Sequence, residues 1–120
     1  MKQRIEEAKK ILLDNRKNGY TLPTNNKLYP AQWNWDSAFI ALGYSYFNLD
    51  YALEEMETLL AGQWDDGMVP HILFHDNDTT YFPNHTTWKC GKNIPSSGIT
   101  QPPVIASILK IILGLSLIHI

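Results

Sequence analysis

Apolar residues recur at helical spacing in several segments of the chain. The first segment predicts a helix from about Lys2 to Asn18, and Gly19 follows it as a residue type that often ends helices. A second helix is predicted after Asp36. One face of that helix carries Ala38, Ala41, Leu42 and Ser45.

The third predicted helix has clear signals at both ends. Asn48 is a residue type that caps helix N-termini, and Gly62 ends the apolar pattern. Asp50 and Glu54 favour the N-terminal half of this helix because the helix dipole attracts negative charge there. The predicted buried stripe consists of Leu49, Leu53, Met56, Leu59 and Leu60.

A long irregular connection is predicted between residues 63 and 103, which hold eight of the fourteen Gly and Pro residues. Pro102 and Pro103 suit the first turn of a fourth helix beginning near Val104, because a missing backbone N–H costs nothing there. No segment alternates long enough to predict strands. We therefore expect an all-α fold of about four helices with a long irregular loop.

The chain ends in an apolar segment, Val104 to Ile120, interrupted by Lys110. It has 17 residues, whereas a span needs about 20, and a lysine in a span is costly. We therefore predict no membrane association. The last six residues resemble the translation of a transposon end sequence used in preparing sequencing libraries. Residues 115–120 are accordingly expected to be a non-native tail, and residues 1–114 part of one domain.

Composition narrows the function classes further. The chain has 120 residues, 44% of them hydrophobic, and a net charge of -2. It is therefore expected to be globular, and it lacks the basic surplus of a nucleic-acid binder. Cys90 is the single cysteine and has no internal disulfide partner. Charges near the start, from Met1 to Arg4, replace the apolar stretch of a signal peptide. These features predict a cytoplasmic protein, and the oligomeric state stays open.

Aromatic and short polar residues alternate from Tyr29 to Asp36, directly ahead of the second helix. The flat indole faces of Trp33 and Trp35 can cover the apolar face of a pyranose ring. The amide of Asn34 and the carboxylate of Asp36 can bond its hydroxyl groups. The segment therefore predicts a sugar pocket.

Two further motifs follow, at residues 62–71 (GQWDDGMVPH) and 97–103 (SGITQPP). With these three motifs in this order, residues 20–112 resemble the N-terminal part of bacterial (α/α)6-barrel glycosidases of glycoside hydrolase family 63. The resemblance is to the mannosylglycerate and glucosylglycerate hydrolases in particular. It implies a toroid of helix pairs whose loops at one end form the sugar pocket. About four helices make only part of such a toroid.

The resemblance places substrate-binding residues at seven positions of this chain. They are Tyr29, Trp33, Asn34, Trp35, Asp36, Tyr81 and Gln101. Simpler roles stay open for most of them: Asp36 or Gln101 could cap a helix, and the indoles of Trp33 and Trp35 could belong to the core. Tyr81 is the least certain of the seven.

The resemblance also implies hydrolysis of an α-glycosidic bond with inversion, in mannosylglycerate, glucosylglycerate or a similar glycoside. Such enzymes need a carboxylic acid and a carboxylate base about 6.5–9.5 Å apart. In the resembled family both lie beyond the third motif, so no catalytic residue and no cofactor is assigned here. Asp65 and Asp66 precede Gly67 in a sequence typical of a turn. This chain alone is therefore expected to be inactive.

Two alternatives come from other functional classes. The first is a zinc site in the long loop, with four possible ligands in His71, His75, His85 and Cys90. The second is a non-catalytic helical interaction domain whose aromatic residues form only core. Loss of sugar binding on Asp36→Ala without loss of fold would argue against the second.

Overall fold

The computed structural model describes residues 1–25 and 28–118. Within these ranges the fold is mostly helical, as predicted, with one small antiparallel ladder. The helices are α1 (Lys2–Asp14), α2 (Asn34–Ser45), α3 (Leu49–Leu60), α4 (His85–Trp88) and α5 (Ile105–Ile118). The strands are β1 (Gln32–Trp33) and β2 (Ile72–Leu73).

The main core lies where α2 packs against α3 and α5. Two alanines of α2, Ala38 and Ala41, are fully buried and give the neighbouring helices room to approach its backbone. Ile108 and Ile112 from α5 fill the other side. The start of α2 is thereby held on a rigid support, which matters because the predicted sugar segment leads into it.

Helix α3 follows its sequence signals closely. Asn48 caps it, since the side-chain oxygen of Asn48 accepts a hydrogen bond of 3.1 Å from the backbone N–H of Tyr51. Met56 and Leu59 are buried as predicted. Leu60 is exposed, so its prediction as a buried residue was wrong. The buried face contains Glu55 instead.

The first helix is shorter than predicted. It ends at Asp14, because the chain turns immediately afterwards and Arg16 pairs with Thr21 in an antiparallel bridge. Gly19 has a φ of 87°, a left-handed conformation that favours glycine, and it lies in this turn. Gly19 therefore marks a chain reversal, and the prediction that the helix continues to its neighbour Asn18 was wrong.

The two-residue strands pair Gln32 with Leu73 and Trp33 with Ile72. Strands this short cannot show a two-residue alternation, so no sequence pattern indicated them. The ladder holds the segment ahead of α2 against the long connection. A second small core forms there from Ala31, Trp33, Ile72 and Phe74, with Tyr81 and Trp88 packed against it.

The last helix begins at Ile105, next to the predicted start near Val104. Across the described ranges, none of the helices combines the length and the hydropathy that crossing a membrane requires. The predicted non-native tail stays a prediction, and its residues 119–120 lie outside the described part of the chain.

Candidate functional site

A cavity of about 350 Å³ opens at the start of α2. It is lined by Pro23, Tyr29, Trp33, Trp35, Asp36 and Gln101. Five of these six residues belong to the predicted set, although Gln101 is 66 residues from Trp35 along the chain. Pro23 was not predicted, because nothing in its sequence context indicates a ligand.

Three aromatic rings form a cluster at the cavity, and two of them, Tyr29 and Trp33, line it. Trp33 meets Tyr29 edge to face, with ring centroids 5.1 Å apart, and meets Tyr81 in the same way at 5.0 Å. Edge-to-face pairs of this kind are favourable and fix the orientation of each ring. Tyr81 packs against the other two rings without lining the cavity itself.

The two tryptophans differ in burial. Trp33 is 6% exposed and belongs to the second core while it also lines the cavity. Trp35 is 42% exposed and contacts Phe39 at a centroid distance of 6.1 Å. Trp35 therefore offers an accessible indole surface for a ligand, whereas Trp33 offers a fixed one.

Helix α2 is capped by residues distant in sequence. Trp33 is its N-cap and makes no side-chain capping bond. The backbone N–H of Asn34 donates to the carbonyl of His71 at 2.9 Å, and that of Trp35 donates to Oε1 of Gln101 at 3.0 Å. The alternative of Asp36 as the N-cap is wrong, because Asp36 is the third residue of the helix. Gln101 does cap a helix, but the helix is α2.

Asp36 supplies a half-buried carboxyl group to the cavity. Burial raises the pKa of this carboxyl above its ordinary value of 3.8, and a hydrogen bond from its own backbone N–H opposes the rise. Its place in the first helical turn also favours negative charge. Such a group can accept hydrogen bonds from two adjacent hydroxyls of a bound ligand.

Asn34 is the first residue of α2. Its side chain is buried, and Nδ2 donates to the carbonyls of Val69 and Pro70 at 3.1 and 3.2 Å. These bonds join α2 to the second motif. Asn34 does not line the cavity, and its assignment as a sugar contact stays a prediction.

A fully buried carboxyl group bonded to both neighbours of the Trp33–Asp36 segment was missed. Glu55 is 0% exposed and accepts hydrogen bonds from Ser37 and Gln32, which flank the sugar segment. A sequence signal for it existed. Glu55 is spaced three residues after Ala52 and four before Leu59, so it lies on the buried face of α3.

Asp65 and Asp66 lie in a turn, as predicted. Gly67 has a φ of 94°, its N–H donates to the carbonyl of Trp64, and Asp66 accepts from the N–H of Met68 at 3.0 Å. Asp65 pairs with Lys92 on the surface at 2.7 Å. Neither carboxylate reaches the cavity that Asp36 lines.

The described residues do not support the zinc alternative. His71 shares a hydrogen bond with Ser97, and His75 donates to Oε1 of Gln32 at 2.7 Å, so the two rings have different partners. Burial lowers the pKa of both imidazoles. Across residues 1–25 and 28–118, no three His, Cys, Asp or Glu side chains converge as metal ligands would.

Comparison with known proteins gives one consistent family. A profile of the mannosylglycerate hydrolase MGH1-like glycoside hydrolase domain matches residues 29–115. Mannosylglycerate hydrolase MGH2 of Selaginella moellendorffii is 50% identical over 105 residues, which are 87% of this chain and 21% of that protein. The glucosylglycerate hydrolase of Mycolicibacterium hassiacum is 42% identical over 93 residues, 72% of this chain and 21% of that protein.

Solved structures agree with the sequence relatives. The GH63 mannosylglycerate hydrolase of Thermus thermophilus, crystallised with Tris and D-glycerate, superposes with a TM-score of 0.83 and 42% identity. The superposition covers 91% of this chain and 26% of that one. Its complex with glucose superposes with a TM-score of 0.74 and 40% identity, over 92% and 26%. The chain thus spans about a fifth to a quarter of the length of the relatives it matches.

Proposed function

Because this chain belongs to the mannosylglycerate hydrolase MGH1-like glycoside hydrolase family, as its three motifs indicated, we propose that it forms part of the sugar pocket of a glycosidase. The whole enzyme would hydrolyse the α-glycosidic bond of mannosylglycerate, glucosylglycerate or a similar α-mannoside or α-glucoside. The anomeric configuration would be inverted in this reaction.

The observation that carries the proposal is the composition of the cavity wall. Tyr29, Trp33 and Trp35 present aromatic surface to a space of about 350 Å³, and Asp36 presents a carboxyl group to it. This volume lies at the small end of ligand sites, which suits a single sugar ring. Aromatic faces bind the apolar side of a pyranose, and the carboxyl group binds its hydroxyls.

Relatives support a ligand with a sugar and a short acid. The Thermus thermophilus enzyme has been crystallised with glucose and with D-glycerate. In this chain, the Gln101 amide lies at the cavity together with the half-buried Asp36 carboxyl. We propose that the sugar ring occupies the space beside these two groups and the tryptophans.

The chain's own residues would bind and orient the sugar rather than cleave the bond. An inverting mechanism needs two carboxyl groups about 6.5–9.5 Å apart, one to protonate the leaving oxygen and one to activate water. Among the described residues, Asp36 alone brings a carboxyl group to the cavity wall. We therefore assign no catalytic residue in this chain. We expect both catalytic carboxyl groups to come from other parts of the whole enzyme.

We also propose that the protein works in a reducing compartment such as the cytoplasm. Its one cysteine, Cys90, is a free thiol, and its Sγ donates a hydrogen bond to the carbonyl of Ser96 at 3.2 Å. Disulfides are rare in that compartment, so the thiol is compatible with it.

The test uses the whole gene product incubated with mannosylglycerate, glucosylglycerate and simple α-glycosides. We expect release of the free sugar, with the first-formed anomer seen by ¹H NMR having the β configuration. Retention of the α configuration would contradict the proposed mechanism, and no turnover of any of these substrates would contradict the function. The 120-residue chain should bind without hydrolysing, and turnover by it would refute the assignment of no catalytic residue.

The rival function is a helical interaction domain that binds no sugar. It predicts that Asp36→Ala changes no ligand affinity, because the wild-type chain would have none. The accessible indole of Trp35 and the half-buried carboxyl of Asp36 in one cavity favour the sugar pocket.

A further inference from the structure

We propose that Glu55 is a positioning residue for the sugar cavity, holding both ends of the segment from Trp33 to Asp36. The inference rests on the proposed function, since the segment it holds is the proposed sugar wall. Glu55 does not line the cavity and would act only through its neighbours.

Glu55 makes its contacts from inside the core. Its Oε1 accepts a hydrogen bond of 2.6 Å from the hydroxyl of Ser37 and one of 3.3 Å from Nε2 of Gln32. The same Nε2 also donates to the backbone carbonyl of Glu55 at 3.2 Å. Glu55, Ser37 and Gln32 are all 0% exposed, so water does not compete for these bonds.

The positions of the two donors show which segment this hydrogen-bond network supports. Gln32 immediately precedes Trp33, and Ser37 immediately follows Asp36. One oxygen of Glu55 is therefore bonded to the residue at each end of the four-residue segment. The segment changes from strand to helix between these two points, since β1 ends at Trp33 and α2 begins at Asn34. Such a change of backbone direction needs support at both ends to keep its side chains fixed.

The network continues to the long connection. Oε1 of Gln32 accepts a hydrogen bond of 2.7 Å from Nε2 of His75, two residues after β2. Gln32 also pairs with Leu73 in the ladder. From α3, Glu55 thus contacts α2 through Ser37 and β1 through Gln32, and Gln32 in turn bonds the loop that follows β2.

Packing alone does not account for a carboxyl group at this position. Ala52, Met56 and Leu59 surround it on the buried face of α3, where an apolar side chain would carry no desolvation cost. Burial also raises the pKa of Glu55, so the ionised form is disfavoured there. A carboxyl group placed at this cost is consistent with a role in fixing a unique arrangement of its partners.

The experiment compares two substitutions of similar size in the 120-residue chain. Glu55→Gln keeps a side-chain oxygen for Ser37 and Gln32, whereas Glu55→Leu keeps the volume and removes the acceptor. Glu57→Leu is the control, because Glu57 is exposed on the same helix. Affinity for methyl α-mannoside and methyl α-glucoside is measured by calorimetry, well below each variant's thermal midpoint.

We expect Glu55→Leu to weaken binding about tenfold or more, with Glu55→Gln within about threefold of wild type. Glu57→Leu should bind like wild type. Wild-type affinity in a folded Glu55→Leu variant would overturn the proposal, and so would equal losses in Gln and Leu variants. Should Glu55→Leu fail to fold, Ser37→Ala removes one bond from the other side, and its unchanged affinity would overturn the proposal equally.

A second measurement separates this inference from the proposed function. The indole N–H resonances of the four tryptophans, assigned by single substitution, are recorded without ligand. We expect the Trp33 and Trp35 signals to shift in Glu55→Leu and to stay in place in Glu55→Gln and Glu57→Leu. If wild type binds no sugar but this pattern holds, the proposed function fails and the positioning role stands. Unmoved signals in folded Glu55→Leu would refute the positioning role.

Discussion

Oε1 of Gln101 accepts a hydrogen bond from the backbone N–H of Trp35 at 3.0 Å. The bond joins the loop before α5 to the first turn of α2. It satisfies one of the N–H groups that every helix leaves unpaired at its N-terminus. The same two residues line the candidate cavity, so the bond that caps the helix also shapes the site.

Removing this cap should lower the stability of the protein. For Gln101→Ala we expect the free energy of unfolding to fall by about 1 kcal/mol, because the Trp35 N–H loses its partner. Gln101→Glu keeps an acceptor oxygen and should retain most of the stability. Urea denaturation of wild type and the two variants measures these free energies. A Gln101→Ala variant as stable as wild type would show that the bond contributes nothing to stability.

Substitutions of the two cavity tryptophans should differ in their effects on stability and on sugar binding. Trp33→Ala removes a buried core ring and should cost about 3–5 kcal/mol of stability. Trp35→Ala removes a ring that is 42% exposed, so it should cost far less stability while weakening sugar binding. Thermal melts and calorimetric titrations of both variants test this. Equal destabilisation by the two changes would contradict the different burial of the rings.

Glu55 should make the free energy of unfolding depend on pH. Burial raises the folded-state pKa of Glu55 above its ordinary value of 4.5. Between these two values the folded state binds more protons than the unfolded state, so stability falls as pH rises through the interval. Relative to Glu55→Gln, the wild-type chain should gain stability as pH is lowered from neutral towards 4.5.

This trend is measured as the difference in unfolding free energy between wild type and Glu55→Gln at several pH values. Contributions from Asp36, His71 and His75 are present in both proteins and cancel, because Glu55 is not among the causes of their pKa shifts. A wild-type minus Glu55→Gln difference that is flat with pH would contradict the raised pKa.

Two glycine substitutions should change stability in opposite directions. A Cβ at Gly62 would overlap Cδ2 of Leu73, whose backbone pairs with Gln32 in the ladder, so Gly62→Ala should cost about 1–3 kcal/mol. A Cβ at Gly114 in α5 meets none of the described atoms within 4 Å. Gly114→Ala should therefore gain about 1 kcal/mol from helix propensity. Thermal midpoints that move in the same direction would contradict this account.

The sequence predicted those features that depend on local signals. Asn48 marked the start of α3, and the prolines at 102 and 103 marked the approach to α5. The two-residue strands could not be predicted, because their stability comes from pairing between residues far apart in the chain, such as Trp33 and Ile72. The early end of α1 was missed for a different reason: the turn at Gly19 is closed by a local bridge between Arg16 and Thr21, whereas the glycine was interpreted as the end of the helix.

The residues of the candidate site also differ in how far the sequence could predict them. The place of Tyr29, Trp33, Trp35 and Asp36 at one cavity could be predicted, because these residues lie together in a short segment. Their binding of a sugar stays a prediction. The environment of Asn34 could not, since its amide bonds to Val69 and Pro70 through the fold. Glu55 was overlooked because acidic residues usually face solvent, although its spacing from Ala52 placed it on the buried face.

The central claim is that the cavity beside Asp36 binds a sugar ring. It is tested most directly by titrating methyl α-mannoside and methyl α-glucoside into the chain while following the tryptophan indole N–H signals. The matched variants are Asp36→Ala and Asp50→Ala, which make the same change in the first turns of α2 and α3. We predict saturable shifts of the Trp33 and Trp35 signals in wild type and Asp50→Ala, and their loss in a folded Asp36→Ala variant. No saturable shift in wild type, or equal binding by Asp36→Ala, would contradict the claim.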